Sequence, residues 1–384
     1  MGESSRVPYG NLIEYYARKT RVMKIPFSGT LELTPRCNMN CKMCYIRMTE
    51  KEMEKVGGEL PVDEWIRIAR EAAEQGLIMV LLTGGEAVMY KDFKKLYLAL
   101  REMGMFISIN TNGTTITDSW IEFFKKYPPA KFNITIYGGS NETYRRLCGN
   151  PRGFDQLKAA IEKIQANGFE ILLNCTITKQ NVDDMEAIFA FGREHNLTVH
   201  ATTYNFPPVR KEGVDDPELN RMTPLEAAKA RVRLNWNSMN DCDTFIRSAK
   251  SILLDMENAA MEDDSCGEVV GDKVQCAAGR SNFWVTWDGR MLPCGMIPDH
   301  EISMRTTSFK DAWDQITSYT ETIRLAPECA KCPIRKVCIP CAAKLKAETG
   351  RFDQKAEYKC EYTKEYLRLL GEAVKYLEHE HENS

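Results

Sequence analysis

The residues most capable of chemistry in this 384-residue sequence are its 14 cysteines, and they are unevenly spread. Cys37, Cys41 and Cys44 share one short stretch, Thr34-Pro35-Arg36-Cys37-Asn38-Met39-Asn40-Cys41-Lys42-Met43-Cys44-Tyr45. Cys266, Cys276, Cys294, Cys329, Cys332, Cys338, Cys341 and Cys360 fill the last third, and Cys148, Cys175 and Cys242 stand alone. The start, Met1 to Asn11, has no apolar signal core, and no run approaches the ~18 apolar residues of a membrane span. A cytoplasmic location is expected, where thiols ligate metal or do redox chemistry rather than pair as disulfides. Three thiolates on one tight loop can hold three corners of a cubane iron–sulfur cluster and leave the fourth iron open to a substrate. A zinc knuckle completed by a distant ligand, or a loop of reduced thiols, is the alternative use.

The rest of the composition narrows the partners. Lys and Arg total 51 against 54 Asp and Glu, a net charge of −3, which argues against duplex DNA or an anionic membrane as the binding surface. At roughly 150 residues per domain the length suggests two or three domains.

The elements that must position the thiols follow from periodicity. Between residues 29 and 203, short β-branched or apolar runs alternate with helical patterns, the rhythm of successive βα units. The expected strands are Gly29 to Leu33, Leu77 to Thr83, Phe106 to Asn110, Phe132 to Tyr137, Glu170 to Thr176 and Thr198 to Thr203. A helix is expected over Asp63 to Gln75, with Gly76 as its stop. Parallel strands with right-handed crossovers make an α/β fold, a partial (β/α)6 barrel of TIM type whose strand C-termini carry the site. The Cys37 to Cys44 loop directly follows the first of those strands.

The pattern breaks at Phe206-Pro207-Pro208 and passes Asp215 and Asp216. It restarts at Thr223-Pro224, an N-cap and first helical residue, as one helical segment to about Met261. Beyond Asp263 glycine and cysteine become frequent, which points to a metal-stapled domain. A final amphipathic helix is expected over Glu361 to His379. The expected division is an extension over 1–28, the barrel over 29–205, a helical bridge over 206–262, the cysteine-rich domain over 263–362, and a helix and tail over 363–384.

Cys37-x3-Cys41-x2-Cys44 after the first strand resembles the radical SAM superfamily, in which this loop binds a [4Fe–4S] cluster whose free iron is chelated by S-adenosylmethionine. One departure is Met43, where an aromatic residue is common; its thioether can fill the same space. Gly84-Gly85-Glu86 resembles the family's GGE motif, whose exposed backbone receives the methionine amine. By the same resemblance Asn112, in the Asn110-Thr111-Asn112-Gly113 strand end, and Thr135 and Asn174 are expected to contact the cofactor. Thr135 and Asn174 read equally well as satisfied strand-end side chains. Tyr137-Gly138-Gly139 stands where relatives often carry an acidic residue.

The later cysteines are similar to the SPASM domain, which binds two auxiliary [4Fe–4S] clusters, although the last close pair is spaced by two residues rather than three. The resemblance assigns Cys329, Cys332, Cys338 and Cys360 to one cluster and Cys276, Cys294 and Cys341 to the other. Cys266 or a substrate thiolate is left to complete the latter. A zinc ribbon over 329–341 is the alternative.

The implied activity is reductive cleavage of S-adenosylmethionine to a 5′-deoxyadenosyl radical, supplied with electrons by a flavodoxin or ferredoxin in an anaerobic setting. The leading substrate is a ribosomally made precursor peptide, crosslinked through a thioether or carbon–carbon bond. The short 1–28 segment leaves leader recognition to a separate protein or another surface. Dehydrogenation, epimerisation or decarboxylation of a small molecule or cofactor precursor is the second reading, and a non-catalytic electron carrier the third. Sulfatase maturation is disfavoured because relatives with that activity carry an Asp after a SPASM cysteine, where this chain has Gly295 after Cys294. Tyr137, Tyr204 and Arg210 are the candidate substrate contacts, with packing of the aromatics and surface capping by Arg210 as the alternative. His200 is read as structural.

Overall fold

The computed structural model describes residues 9–210, 221–239, 241–257 and 271–382. Six parallel strands run in chain order: β1 (Ser28–Glu32), β2 (Met79–Thr83), β3 (Phe106–Thr111), β4 (Lys131–Thr135), β5 (Ile171–Thr176) and β6 (Val199–Thr202). Each pairs with the next, so the α/β partial barrel expected from the sequence is present, with its strands within about two residues of their expected positions. The alternation of each strand explains the layering. In β5, Ile171, Leu173 and Cys175 are buried in a core shared with Ile161, Ile164 and Ile188, while Asn174 and Thr176 take the other face. The helix between β1 and β2 spans Val62–Glu74. Among the described residues no helix is long and apolar enough to cross a membrane.

The sheet does not close on itself. The free edge of β1 instead takes β7 (Asn282–Val285) in parallel, followed by antiparallel β8 (Arg290–Leu292) and β9 (Ile302–Ser303), giving nine strands in the order β6-β5-β4-β3-β2-β1-β7-β8-β9. Asn282 Nδ2 donates to Ser28 Oγ at 2.9 Å at the start of that pairing. The cysteine-rich region is thus an extension of the barrel sheet, which no periodicity in the sequence announces.

Two helices differ from expectation. The segment after Thr223-Pro224 is two helices, Pro224–Asn237 and Cys242–Glu257, because Asp241 re-caps the chain by accepting from Thr244 N at 2.7 Å. The expected end at Met261 and the acidic pair Asp215 and Asp216 lie outside the described residues. The last helix begins earlier, at Glu357, and runs to Glu382 with Cys360 in its first turn. It packs along Pro224–Asn237, with the Arg231 guanidinium 3.9 Å from the Tyr366 ring centroid and Asn235 Nδ2 donating to Tyr366 Oη at 2.6 Å.

At the end of β1 the Glu32 side chain has 0% exposure and Arg210, 7% exposed, grips it with both nitrogens at 2.7 Å. Trp284 Nε1 of β7 donates to the same carboxylate at 2.9 Å. Removing one member of such a buried pair leaves an uncompensated charge. Glu32→Ala should therefore lose about 3–5 kcal/mol in chemical denaturation, and Glu32→Leu/Arg210→Met should recover most of it; equal losses in both variants would refute this account.

Candidate functional site

The loop carrying Cys37, Cys41 and Cys44 leaves β1 and is anchored at both ends by backbone. On one side Gly85 N donates to Thr34 O at 2.7 Å and Glu86 N to Arg36 O at 2.8 Å. A Cβ on Gly84 would meet Thr34 O at 2.5 Å, and one on Gly85 would meet Arg36 O at 2.4 Å. The paired glycines are required by the cysteine loop itself, and the N–H groups of Gly85 and Glu86 are already spent on it. On the other side Asn40 N donates to Cys148 O at 2.8 Å and Lys42 N to Leu147 O at 3.0 Å, hanging the loop on the C-terminus of the Asn141–Cys148 helix. Arg36, held by Glu59 through two 2.9 Å hydrogen bonds, fixes the base of the loop.

The sulfurs sit among donors. Met39 N lies 3.4 Å from Cys37 Sγ, Arg47 N 3.3 Å from Cys44 Sγ, and Asn112 Nδ2 3.8 Å from Cys37 Sγ. N–H groups aimed at sulfur suit thiolates and cluster ligands, so the donor set fits an iron–sulfur cluster. Burial pushes the Cys37 thiol up to about 12. A hydrogen bond with Cys148 lowers Cys41 and raises Cys148, and the Tyr137 hydroxyl also bonds to Cys41. Cluster binding must therefore drive proton release from the thiols.

These three cysteines open onto a cavity of about 490 Å³, also lined by Gly84, Gly85, Asn112 and Thr135. Tyr137 and Tyr204 line it as well. Asn174 does not; its face-mate two residues on, Thr176, does, together with Thr202 of β6. Glu86 does not line it either. Its carboxylate is buried and turned to the end of β3, accepting from Thr111 Oγ1 at 2.6 Å and Asn112 N at 2.8 Å. Glu86 thus orients Asn112 rather than touching the cavity. Arg210 is likewise corrected: its guanidinium is consumed by Glu32 and lies outside the main cavity lining, with the Tyr45 ring centroid 5.6 Å away. His200 is exposed on β6 and does not line the cavity. Arg221, Met296 and Lys344 line it without any sequence signal, because three distant segments meet there.

The remaining thiols fall into two further groups. Cys276, Cys294 and Cys341 act electrostatically on one another, and so do Cys329, Cys332, Cys338 and Cys360. Burial raises Cys294 and Cys329 to about 11 each. Between Cys338 and Cys341, Ile339 adopts φ 49°, a left-handed backbone that a β-branched residue takes only under constraint. That turn separates two cysteines only three positions apart into different groups. Among the described residues no three cysteine, histidine or carboxylate side chains converge on a single ion-sized point. Cys266 lies outside the described residues.

Residues 31–192 match the family model described as the Radical SAM superfamily. Those residues belong to the radical SAM superfamily. Among curated relatives of this radical SAM enzyme, the AdoMet-dependent heme synthase of Methanosarcina barkeri (strain Fusaro / DSM 804) is 24% identical over 85% of this chain and 94% of that protein. The sporulation killing factor maturation protein SkfB of Bacillus subtilis (strain 168) is 26% identical over 70% of this chain and 60% of its own length. Streptococcus suis SuiB bound to precursor peptide SuiA shares the fold at TM-score 0.65 and 18% identity, over 94% of this chain and 82% of that one. Native anSMEcpe with bound AdoMet and the Kp18Cys peptide does so at TM-score 0.65 and 16% identity, over 91% of this chain and 98% of that one. The fold of these solved structures is therefore shared along most of the chain. Membership implies S-adenosylmethionine and a [4Fe–4S] cluster as cofactors.

Two outcomes are expected. Gly85→Ala should displace the cysteine loop, cutting the iron bound at that loop and 5′-deoxyadenosine formation by at least tenfold; unchanged values for both would contradict the packing argument. Burial raises the Glu86 carboxyl from 4.5 to about 7, outweighing its hydrogen bonds from Thr111 and Asn112. The folded chain then binds the proton more tightly than the unfolded one. Its contribution is complete below about pH 4.5 and is lost as pH rises to about 7. Glu86→Gln should flatten that decline, of order 2 kcal/mol, in denaturation measured at pH 5 and 7.5.

Proposed function

We propose that Cys37, Cys41 and Cys44 hold the [4Fe–4S] cluster of a SPASM-type peptide maturase, and that the cavity beside them takes S-adenosylmethionine and a ribosomally made precursor peptide. When bound, the cluster supplies the electron that splits S-adenosylmethionine into methionine and a 5′-deoxyadenosyl radical able to remove hydrogen from an unactivated carbon. The observation that carries this reading is one cavity walled by Cys37–Cys44 and Gly84-Gly85 and also by Tyr204–Val209, Arg221 and Lys344. It joins a cofactor end to a second end with its own side chains.

The protein's own groups divide accordingly. Gly84, Gly85, Asn112 and Thr135 bind the cofactor, with Thr176 taking the place expected for Asn174. Glu86 holds Asn112 N in position from behind. Tyr137 is bonded to Cys41, which orients that sulfur and leaves Tyr204 and Phe206 as the aromatics at the substrate end. The two later thiol groups are assigned to two auxiliary clusters, one held by Cys329, Cys332, Cys338 and Cys360 and one by Cys276, Cys294 and Cys341. A flavodoxin or ferredoxin is the expected reductant, in a cytoplasmic and anaerobic setting.

The structure of the chain at Gly295 bears on the bond formed. A Cβ there would lie 2.8 Å from Trp284 Cδ2, so no carboxylate can stand after Cys294 while Trp284 holds Glu32. This favours crosslinking, through a thioether or carbon–carbon bond, over sulfatase maturation. The second reading, oxidation or decarboxylation of a small molecule, is favoured by the near-complete coverage of the heme synthase relative.

Anaerobic reconstitution should load about twelve irons per chain, four for each of three cubanes, and dithionite should release 5′-deoxyadenosine. Cys41→Ala should abolish that release while retaining about eight irons; Cys332→Ala should first impair loading or folding. Sustained cleavage in a loaded Cys41→Ala protein would overturn the assignment. About four irons accompanied by zinc would remove the auxiliary clusters and most of the case for a peptide. Mass loss of two hydrogens in a candidate precursor peptide that survives thiol reduction, with tandem fragmentation locating a bond between two residues, would decide for crosslinking.

A further inference from the structure

Among the described residues, the substrate end of the main cavity carries more positive charge than its neighbours neutralise. Arg221 pairs with Glu348, and the side chains are 18% and 8% exposed. The same carboxylate accepts from Tyr204 Oη at 2.6 Å, so its capacity is shared. Arg221 lies 3.7 Å from the Tyr358 ring centroid and 5.7 Å from that of Tyr204. Its Nε is buried and has no hydrogen-bond partner among the described residues. Lys344 Nζ stands 4.7 Å from the Tyr204 centroid and makes no ion pair among the described residues. Among the described residues, two cations therefore face one carboxylate.

A second cavity, of about 670 Å³, lies behind this wall and is lined by Cys276, Cys338 and Cys341. Tyr204 and Lys344 line both cavities, whereas Lys359 and Arg231 line only the second. Lys359, 7% exposed, and Arg231 are thus placed to balance thiolate charge on that side. That leaves Lys344 and the free Arg221 N–H for the main cavity. A guanidinium N–H withdrawn from water beside aromatic rings is costly unless an acceptor arrives, and the half-buried Lys344 ammonium opens onto the same cavity. A planar anion bridging a lysine and an arginine matches that donor set.

We infer that the substrate is held through a carboxylate bound by Lys344 and the Arg221 guanidinium against the Tyr204 ring. The inference rests on the reading of this cavity as the substrate site. The carboxylate belongs either to an acidic peptide or to a small organic acid, and the assignment covers both.

The test is anaerobic calorimetry on reconstituted enzyme saturated with S-adenosylmethionine and without reductant. The probes are glutarate, glutaramide, Ac-Ala-Glu-Ala-NH2 and Ac-Ala-Gln-Ala-NH2. At least one acid should bind ten times more tightly than its amide. Lys344→Met should erase that preference, and Lys344→Arg should keep most of it. Lys346→Met should keep it too, since Lys346 on the same helix pairs with Asp299 at 2.8 Å. Tighter binding of the glutamyl tripeptide than of glutarate assigns the carboxylate to a peptide, and the reverse to a small acid. Equal binding of acids and amides, no acid binding, or a preference that survives Lys344→Met overturns the inference. So does weakening of S-adenosylmethionine itself in that variant, because the cation would then serve the cofactor. The acid–amide comparison on the wild-type enzyme needs no variant to fold. 5′-Deoxyadenosine yield on the same samples tests the functional reading separately.

Discussion

A single carboxylate buried at the end of the first strand holds the site together. Glu32 binds Arg210 from the segment after β6, Trp284 from β7, and stands one turn of chain before the cysteine loop. A charge in that position is tolerated only because both oxygens are fully used by charged or polar donors. Its neighbours extend the reach of the contact. Arg210 stacks over Tyr45, which follows Cys44, and the Trp284 ring covers Gly295, which follows Cys294. The barrel loop and the cysteine-rich extension, already joined by the β1–β7 pairing, are therefore further fixed relative to each other through this ion pair and indole.

Around that node the chain relies on two unequal cores. The barrel core is large and filled with aromatic and branched residues such as Trp65, Tyr97, Phe124 and Phe132. The second, near the later cysteines, is thin: Val274, Ile297, Ile323, Leu325 and Leu345 are joined in it mainly by the alanines Ala342, Ala343 and Ala356. Small side chains bury little apolar surface, so this part needs cross-links of another kind. On the proposed reading the two thiol groups supply them, and the left-handed turn at Ile339 lets one short stretch feed both.

The main cavity lies where these parts meet, and its two ends differ in character. Near the cysteine loop the wall combines glycine backbone and the polar side chains of Asn112 and Thr135 with Met39, Met43 and Ile46. Near Tyr204 the wall is aromatic and cationic, drawn from the post-barrel segment and the helix that follows Cys341. Fold relatives act on different kinds of substrate, so the chemistry of this second end, and not the fold, carries the information on what is modified.

Much of this was legible in the residues alone. The six strands and the partial barrel follow from alternation, the loop after β1 from three cysteines and two glycines, and the radical SAM assignment from their order. Local spacing sufficed because each of these features is built within a few consecutive residues. Contacts between distant segments were not legible. Nothing near Arg210 signals that Glu32 consumes it, nor does Glu86 signal that it faces β3 rather than the cavity. Asn174 and Thr176 share a face, and Thr176, the last residue of β5 and level with Thr202, is the one that reaches the opening. The parallel pairing of β7 on β1, and the meeting of Arg221 and Lys344 beside Tyr204, depend on how separate layers pack. The sequence by itself determined the elements and the thiol chemistry, because these follow from local periodicity and ligand type. The tertiary structure decided which side chains are free to act, because burial and partnership are set by residues far away in the chain.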